Sequence, residues 1–392
     1  MADIYTIYKR LSSLAVFGGV RKKPLFSLFL NYCDKESGSP EKEQAYGEFI
    51  NEIYAGGADL TDCVRRIVFE DENVYVRAVG KKQEINAHVA RAVEYELNAL
   101  SEFASLTPED FSSDMGHKNY VHSFDSEKAD LFAEYTSRVA SIEKYGYGIF
   151  AAHGMFSVDD DGTIIPIASA DKTKLDGFVG YEQERQKVIH NTESFLADKP
   201  AANILLYGDA GTGKSSTVKA VANHFFDKGL RLIELRKNQL LLLPRVMGEI
   251  SNNPLHFIIF IDDLSFNQND DSFSMLKATL EGSASARAQN AVIYATSNRR
   301  HIVRETFSDR DGDEVHRNDT VQENLSLSAR FGLTILFAKP EKKLYLQIVH
   351  ELAERGGITI PSEELEREAE AFALKRGHRS ARAAEQFIDS LL

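Results

Sequence analysis

The chain has 392 residues, 43% of them apolar, and a net charge of −13. That is enough for two or three packed domains and the wrong sign for a general nucleic-acid coat. Two cysteines, Cys33 and Cys63, stand outside any C-x-x-C pattern, which excludes a zinc site and suggests a reducing compartment. No apolar run reaches membrane-spanning length and no cleavable leader pattern is seen, so the expected location is cytoplasmic.

Residues 1–145 read as a mainly helical N-terminal domain. The apolar stretch Leu11–Val20 precedes Arg21-Lys22-Lys23, but Gly18-Gly19 and Pro24 interrupt it. A packed helix or loop is expected there rather than a surface anchor. Glu41–Tyr54 reads as a helix stopped by Gly56-Gly57, and Asn86–Leu106 and Ser126–Tyr145 show apolar residues at helical spacing. Phe111–Phe124 is polar and reads as a loop; its His117 and His122 lack metal-ligand spacing. This region carries no chemical motif. Gly146-Tyr-Gly148 suggests a turn, and two β-type runs flank Asp159-Asp-Asp-Gly162. Residues 146–174 are therefore expected to form a hairpin connector.

From residue 175 strands and helices alternate. A helix over Glu182–Leu196 is followed by short apolar strands at Asn203–Tyr207, Leu230–Leu235, His256–Ile261, Ala291–Ala295 and Leu333–Phe337. That rhythm predicts an α/β domain over 175–338, with a five-stranded parallel sheet covered on both faces. Beyond Pro340, Glu341–Arg355, Ser362–Arg376 and Ser380–Leu391 read as helices, with Gly356-Gly357 and Gly377 as stops. Residues 339–392 thus predict a helical C-terminal domain.

The strand Asn203–Tyr207 leads into Gly208-Asp209-Ala210-Gly211-Thr212-Gly213-Lys214-Ser215, followed by Ser216 and a helix to Lys228. This is the phosphate-loop pattern in its required strand–loop–helix setting. The glycines let backbone N–H groups curl around an anion. Residues 208–216 are expected to hold a nucleoside triphosphate, with Lys214 on the β- and γ-phosphates and Ser215 on Mg²⁺. The apolar strand Phe257–Ile261 ends in Asp262-Asp263. In a parallel sheet these acids reach the edge that carries the loop. Asp262 is expected to hold the metal and Asp263 to orient or deprotonate the attacking water, although acids after a strand can also simply begin a turn.

At this point the chain resembles the AAA+ ATPases. Asn298, which ends the strand Val292–Ser297, matches the sensor-one position, where an amide both donates and accepts. Arg330 in Leu327-Ser-Ala-Arg330-Phe-Gly-Leu resembles the arginine finger that reaches a neighbouring subunit's nucleotide; a partner-paired surface arginine is the alternative. Gly377-His-Arg379-Ser-Ala-Arg382 resembles sensor two on the family's lid. Arg379 fits that position better and Arg382 is the second choice; a surface pair remains open. Phe178, Val179 and Gly180, in Leu175–Glu182, resemble the segment flanking the adenine.

Leu206-Tyr-Gly-Asp, Asp262-Asp-Leu-Ser-Phe266, Leu276–Gly282 and Tyr294–His301 are closer still to bacterial AAA+ proteins filed as a domain of unknown function. The resemblance implies an AAA+ core with a helical lid, ATP and Mg²⁺ as cofactors, and a homo-oligomeric ring or partial ring. It implies no substrate. Two departures matter. Asp263 replaces the usual Glu of the acid pair, so slow hydrolysis, as in a nucleotide-controlled switch, is the alternative to an ATPase that remodels or loads a macromolecular partner. Arg236–Leu240 lacks the aromatic-Gly pore loop of threading unfoldases, and Glu305–Asn324 reads as a charged insert, either a mobile loop or a partner contact. No guanine-reading motif follows the loop, and no kinase acceptor site stands out.

Overall fold

A computed structural model describes residues 3–112, 122–265, 271–280, 288–298 and 330–392. The chain divides into two compact units, Met1–Ala152 and His153–Leu392. His117, the charged insert Glu305–Asn324 and the stretch Leu327–Ala329 lie outside the described residues.

The first unit is built on helices, among them Ile4–Ser12, Pro24–Cys33, Pro40–Ala55, Leu60–Glu70 and Ala87–Ala104. Its core is aromatic: Phe29 packs against Phe49, Phe103 and Phe111, with ring centroids 5.7, 4.6 and 6.5 Å away. The apolar stretch that begins in the last turn of the first helix buries Leu11, Leu14, Phe17 and Val20. Its turn is held by the buried Glu96, whose carboxylate accepts from Ala15, Val16 and Phe17 N–H at 2.9, 3.2 and 2.9 Å. The segment expected as one helix over Ser126–Tyr145 is two, Leu131–Val139 and Ile142–Tyr145. Residues ahead of Leu131 instead donate backbone N–H groups to side chains of other elements: Glu127 to Thr61 at 2.9 Å and Leu131 to Ser101 at 2.9 Å. Tertiary hydrogen bonds outcompete helix propensity there.

The second unit holds a seven-stranded mixed sheet, which corrects the five-stranded expectation. Its strands are β1 (Met155–Val158), β2 (Ile164–Pro166), β3 (Ile204–Gly208), β4 (Leu230–Glu234), β5 (His256–Ile261), β6 (Ala291–Ser297) and β7 (Leu333–Phe337), in spatial order β2-β1-β4-β5-β6-β3-β7. The hairpin read as a connector is part of the sheet. β1 pairs parallel with β4 (Met155 opposite Leu232) and antiparallel with β2. The three-residue β2, ending in Pro166, makes a short edge unsuited to further pairing. The five parallel strands β3–β7 are those expected. β5 is buried from Phe257 to Ile261, as a strand covered on both faces should be.

Connectivity brings the carboxyl ends of β3, β5 and β6 to one edge, because neighbouring strands run parallel. After β7, helices Lys342–Arg355, Ser362–Arg376 and Ala381–Asp389 follow. They form their own core around Tyr345, Val349, Ala369, Ala384 and Phe387, to which Val179 also belongs.

Candidate functional site

β3 leaves the sheet at Gly208 and turns through Gly211 and Gly213, whose φ values of +76° and +86° suit glycine. Gly213 caps the helix Lys214–His224. A side chain at Gly211 would press on Arg382 Cβ and Ser380 Oγ, both 3.2 Å from where its Cβ would lie. The loop thus packs closely under the start of the last helix, and Arg382 N–H donates to the Gly211 carbonyl at 3.2 Å.

Lys214 is 6% exposed. Its Nζ donates to the carbonyls of Gly208 and Asp209 at 2.9 and 2.7 Å and to Asn298 Oδ1 at 3.2 Å. All three acceptors are neutral. Burial pulls its pKa down, partly opposed by Asp209, Asp262 and Asp263. A buried ammonium whose hydrogen bonds all go to neutral acceptors can still gain from a bound anion.

Asp262 follows β5 and gathers three donors on one oxygen. Ser215 Oγ donates to its Oδ1 at 2.6 Å, Thr296 Oγ1 donates to the same atom, and Asp263 N–H lies 3.2 Å away. The Asp263 backbone is left-handed, φ +50°, and its N–H also donates to Thr296 Oγ1 at 2.9 Å. Asn298 bridges the two charges: its Nδ2 donates to Asp263 Oδ1 at 2.8 Å while its Oδ1 accepts from Lys214.

These groups line a cleft of about 340 Å³. Its polar part comprises Ala210 to Ser216, Asp262, Asp263, Thr296, Asn298 and Arg382. Its apolar walls are Phe178, Val179, Tyr181, Ile348 and Leu352, with Arg185 and Glu385 beside them. The donor set suits a magnesium nucleotide. Ser215 and Asp262 offer the hard oxygens that Mg²⁺ prefers, the loop offers N–H groups and a lysine, and the walls suit a planar ring.

Several sequence-proposed residues lie elsewhere. Gly208 and Asp209 sit behind the cleft. Gly208 is pinned under Phe337, and Asp209 Oδ2 accepts from Lys339 N–H at 3.1 Å. Gly180, with φ +73°, packs against Leu344 and does not line the cleft. Arg379 precedes the Ser380 N-cap and is turned to Glu370, with contacts of 2.8 and 2.7 Å. Arg382, the second choice, lines the cleft. Arg330 lies just ahead of β7, outside the lining.

Residues 151–392 match the family model described as "Protein of unknown function (DUF815)". The chain belongs to the DUF815 family. A curated relative of this DUF815 chain, "Chaperone protein ClpB 2" of Parasynechococcus marenigrum (strain WH8102), is 26% identical over 219 residues. That match covers 50% of the DUF815 chain but 22% of the relative, about a fifth of its length. Among solved structures, the Thermotoga maritima RuvB Holliday junction branch migration motor aligns at 12% identity with a TM-score of 0.35, over 56% of this chain and 72% of that one. Its T158V variant aligns at 13% and 0.34 over the same shares. The DUF815 chain is of the AAA+ ATPase type.

Residue-level reading of the sequence missed several members of the DUF815 cleft, the polar Thr296, Arg185 and Glu385 among them. Thr296 ties the two aspartates together. Its signal was a hydroxyl two residues before Asn298, at the end of an apolar strand. Arg185 and Glu385 sit one turn beyond Tyr181 and Arg382 on their respective helices, facing the same cleft.

Proposed function

We propose that this chain binds ATP with Mg²⁺ in the cleft, hydrolyses it, and uses the cycle to remodel or load a macromolecular partner. The observation that carries the reading is the meeting of Lys214, Ser215, Asp262 and Asn298 at one sheet edge, with a buried lysine whose hydrogen-bond acceptors are all neutral. Backbone N–H groups of 210–215 and Lys214 hold the phosphates. Ser215 and Asp262 hold the metal, which when bound neutralises charge building on the β- and γ-phosphate oxygens. Asp263, aimed by Asn298, accepts the proton of the attacking water. Arg382 meets the phosphates from the lid. Arg330 acts on the nucleotide of a neighbouring copy, which requires a homo-oligomer. The helical unit Met1–Ala152 selects the partner.

A switch with very slow turnover is the second reading. Asp263 is one methylene shorter than a Glu, and its Oδ1 already accepts from Asn298 Nδ2. Single-turnover hydrolysis of Mg-ATP decides between them. For the ATPase, product forms at least about 10²-fold faster than in Lys214→Ala or Asp263→Asn, and the rate per chain rises with protein concentration. Arg330→Ala then lowers turnover about 10³-fold or more with ATP still bound. A wild-type rate equal to that of Lys214→Ala would leave the switch.

A further inference from the structure

The helix Glu182–Leu196 buries Arg185, Val188, Thr192 and Phe195, the spacing of an apolar helical stripe. Arg185 takes a place in that stripe where an aliphatic residue would ordinarily sit. It is 7% exposed. Its guanidinium carbon lies 5.2 Å from the centroid of the Phe178 ring. Its one ion-pair contact among the described residues is with Glu182 at 3.6 Å, and that carboxylate is 69% exposed. Burial pulls its pKa down. A guanidinium carries five N–H donors, and burying one beside a distant, solvated carboxylate costs stability unless something else answers it.

What it faces narrows the answer. Arg185 lines the cleft together with Phe178, Val179, Tyr181, Ile348 and Leu352. Those walls fit a planar ring and would strand a polyanion. The loop N–H groups, Lys214 and Arg382 already serve the anionic part of the same cleft. Resting on the nucleotide reading above, we propose that Arg185 reads the base of the bound nucleotide, donating a hydrogen bond to a ring acceptor of the purine. The aromatic face of Phe178 holds the guanidinium in plane for that contact. Arg185 is then a specificity-determining residue, retained at some cost to the empty protein.

The test compares ATP with ribose 5-triphosphate, which keeps the phosphates and lacks the base, in the full-length protein. Wild type, Arg185→Leu and Arg185→Lys are titrated calorimetrically with Mg²⁺ present. Arg185→Leu should weaken ATP about 10- to 100-fold, the range for a hydrogen bond to a charged donor. Its affinity for ribose 5-triphosphate should not change. Arg185→Lys, which keeps charge but not the planar fork, should fall between. The ligand-free Arg185→Leu protein should melt at the wild-type temperature or above it, since leucine suits the stripe. Equal loss for both ligands would make Arg185 a phosphate contact and overturn the proposal. An unchanged ATP affinity, or a lower melting temperature with ATP affinity intact, would make it structural and overturn it equally. Failure of wild type to bind either ligand would defeat the nucleotide reading itself.

Discussion

Gly208 is the point where the sheet becomes the phosphate loop, and Gly208→Ala probes both. Its φ is +136°, a region L-residues avoid. A Cβ there would lie 2.0 Å from the Phe337 carbonyl oxygen and 2.7 Å from its carbon. Ordinary C···O contact is roughly 3.3 Å, so β3 and β7 would have to part by about 1.3 Å at the pair Gly208–Phe337, the last of their ladder. Backbone strain of about 1–3 kcal/mol adds to about 1–3 kcal/mol of overpacking. At about 2–4 °C per kcal/mol for a unit of this size, the melting temperature should fall by about 5–20 °C. Gly377→Ala is the control: φ is +80° with no atom within 4 Å of the added Cβ, so only the left-handed penalty of about 1–2 kcal/mol applies. The Gly208 carbonyl also accepts from Lys214, so Gly208→Ala should weaken ATP binding while Gly377→Ala should not. Thermal melts of the two variants, with and without Mg-ATP, measure both effects. Equal melting temperatures for the two would refute the close approach of β3 and β7, and with it the placement of the loop.

Arg379 and Arg382 should separate cleanly. Arg382→Ala is expected to weaken ATP binding about tenfold or more, and Arg379→Ala to change it less than threefold, as equilibrium titration would show. Arg379 should instead govern acid stability. Its hydrogen bond holds the Glu370 carboxyl below its ordinary 4.5. The folded-state value is depressed, so the stabilising contribution is complete above pH 4.5 and is lost as pH falls through the folded value. The gap in melting temperature between wild type and Arg379→Ala should therefore be open at pH 7 and close in acid; a gap independent of pH would exclude the pair as its source.

Much of the candidate cleft was legible because its residues are fixed by short-range grammar. A strand, a glycine loop and a helix start dictate where Lys214 and Ser215 point, and parallel strands dictate that acids after β5 reach the same edge. What failed was register and long-range pairing. Nothing local tells Met155–Ser157 to pair with Leu232–Glu234, so the hairpin looked like a connector rather than two more strands. Arg379 and Arg382 are three residues apart, and the choice turns on where the helix begins. Ser380 accepts from Ala383 N–H as the cap, leaving Arg379 outside the helix and Arg382 over Gly211. Arg185 carried a signal that composition hides: a cation standing at an apolar position of a helical stripe. The membrane question also has a structural statement: among the described residues no helix is long and apolar enough to cross a bilayer.

Calorimetric titration of the full-length protein with ATP, in the presence and absence of Mg²⁺, reaches the centre of the account. Wild type should bind one ATP per chain, more tightly with the metal than without it. Lys214→Met should abolish the heat of binding with only a small change in the melting temperature of the ligand-free protein, because it removes a buried charge that nearby Asp209, Asp262 and Asp263 compensate only in part. Asp262→Asn should erase the advantage conferred by Mg²⁺. An ATP affinity in Lys214→Met equal to that of wild type, or no heat from wild type at all, would contradict the assignment of this cleft.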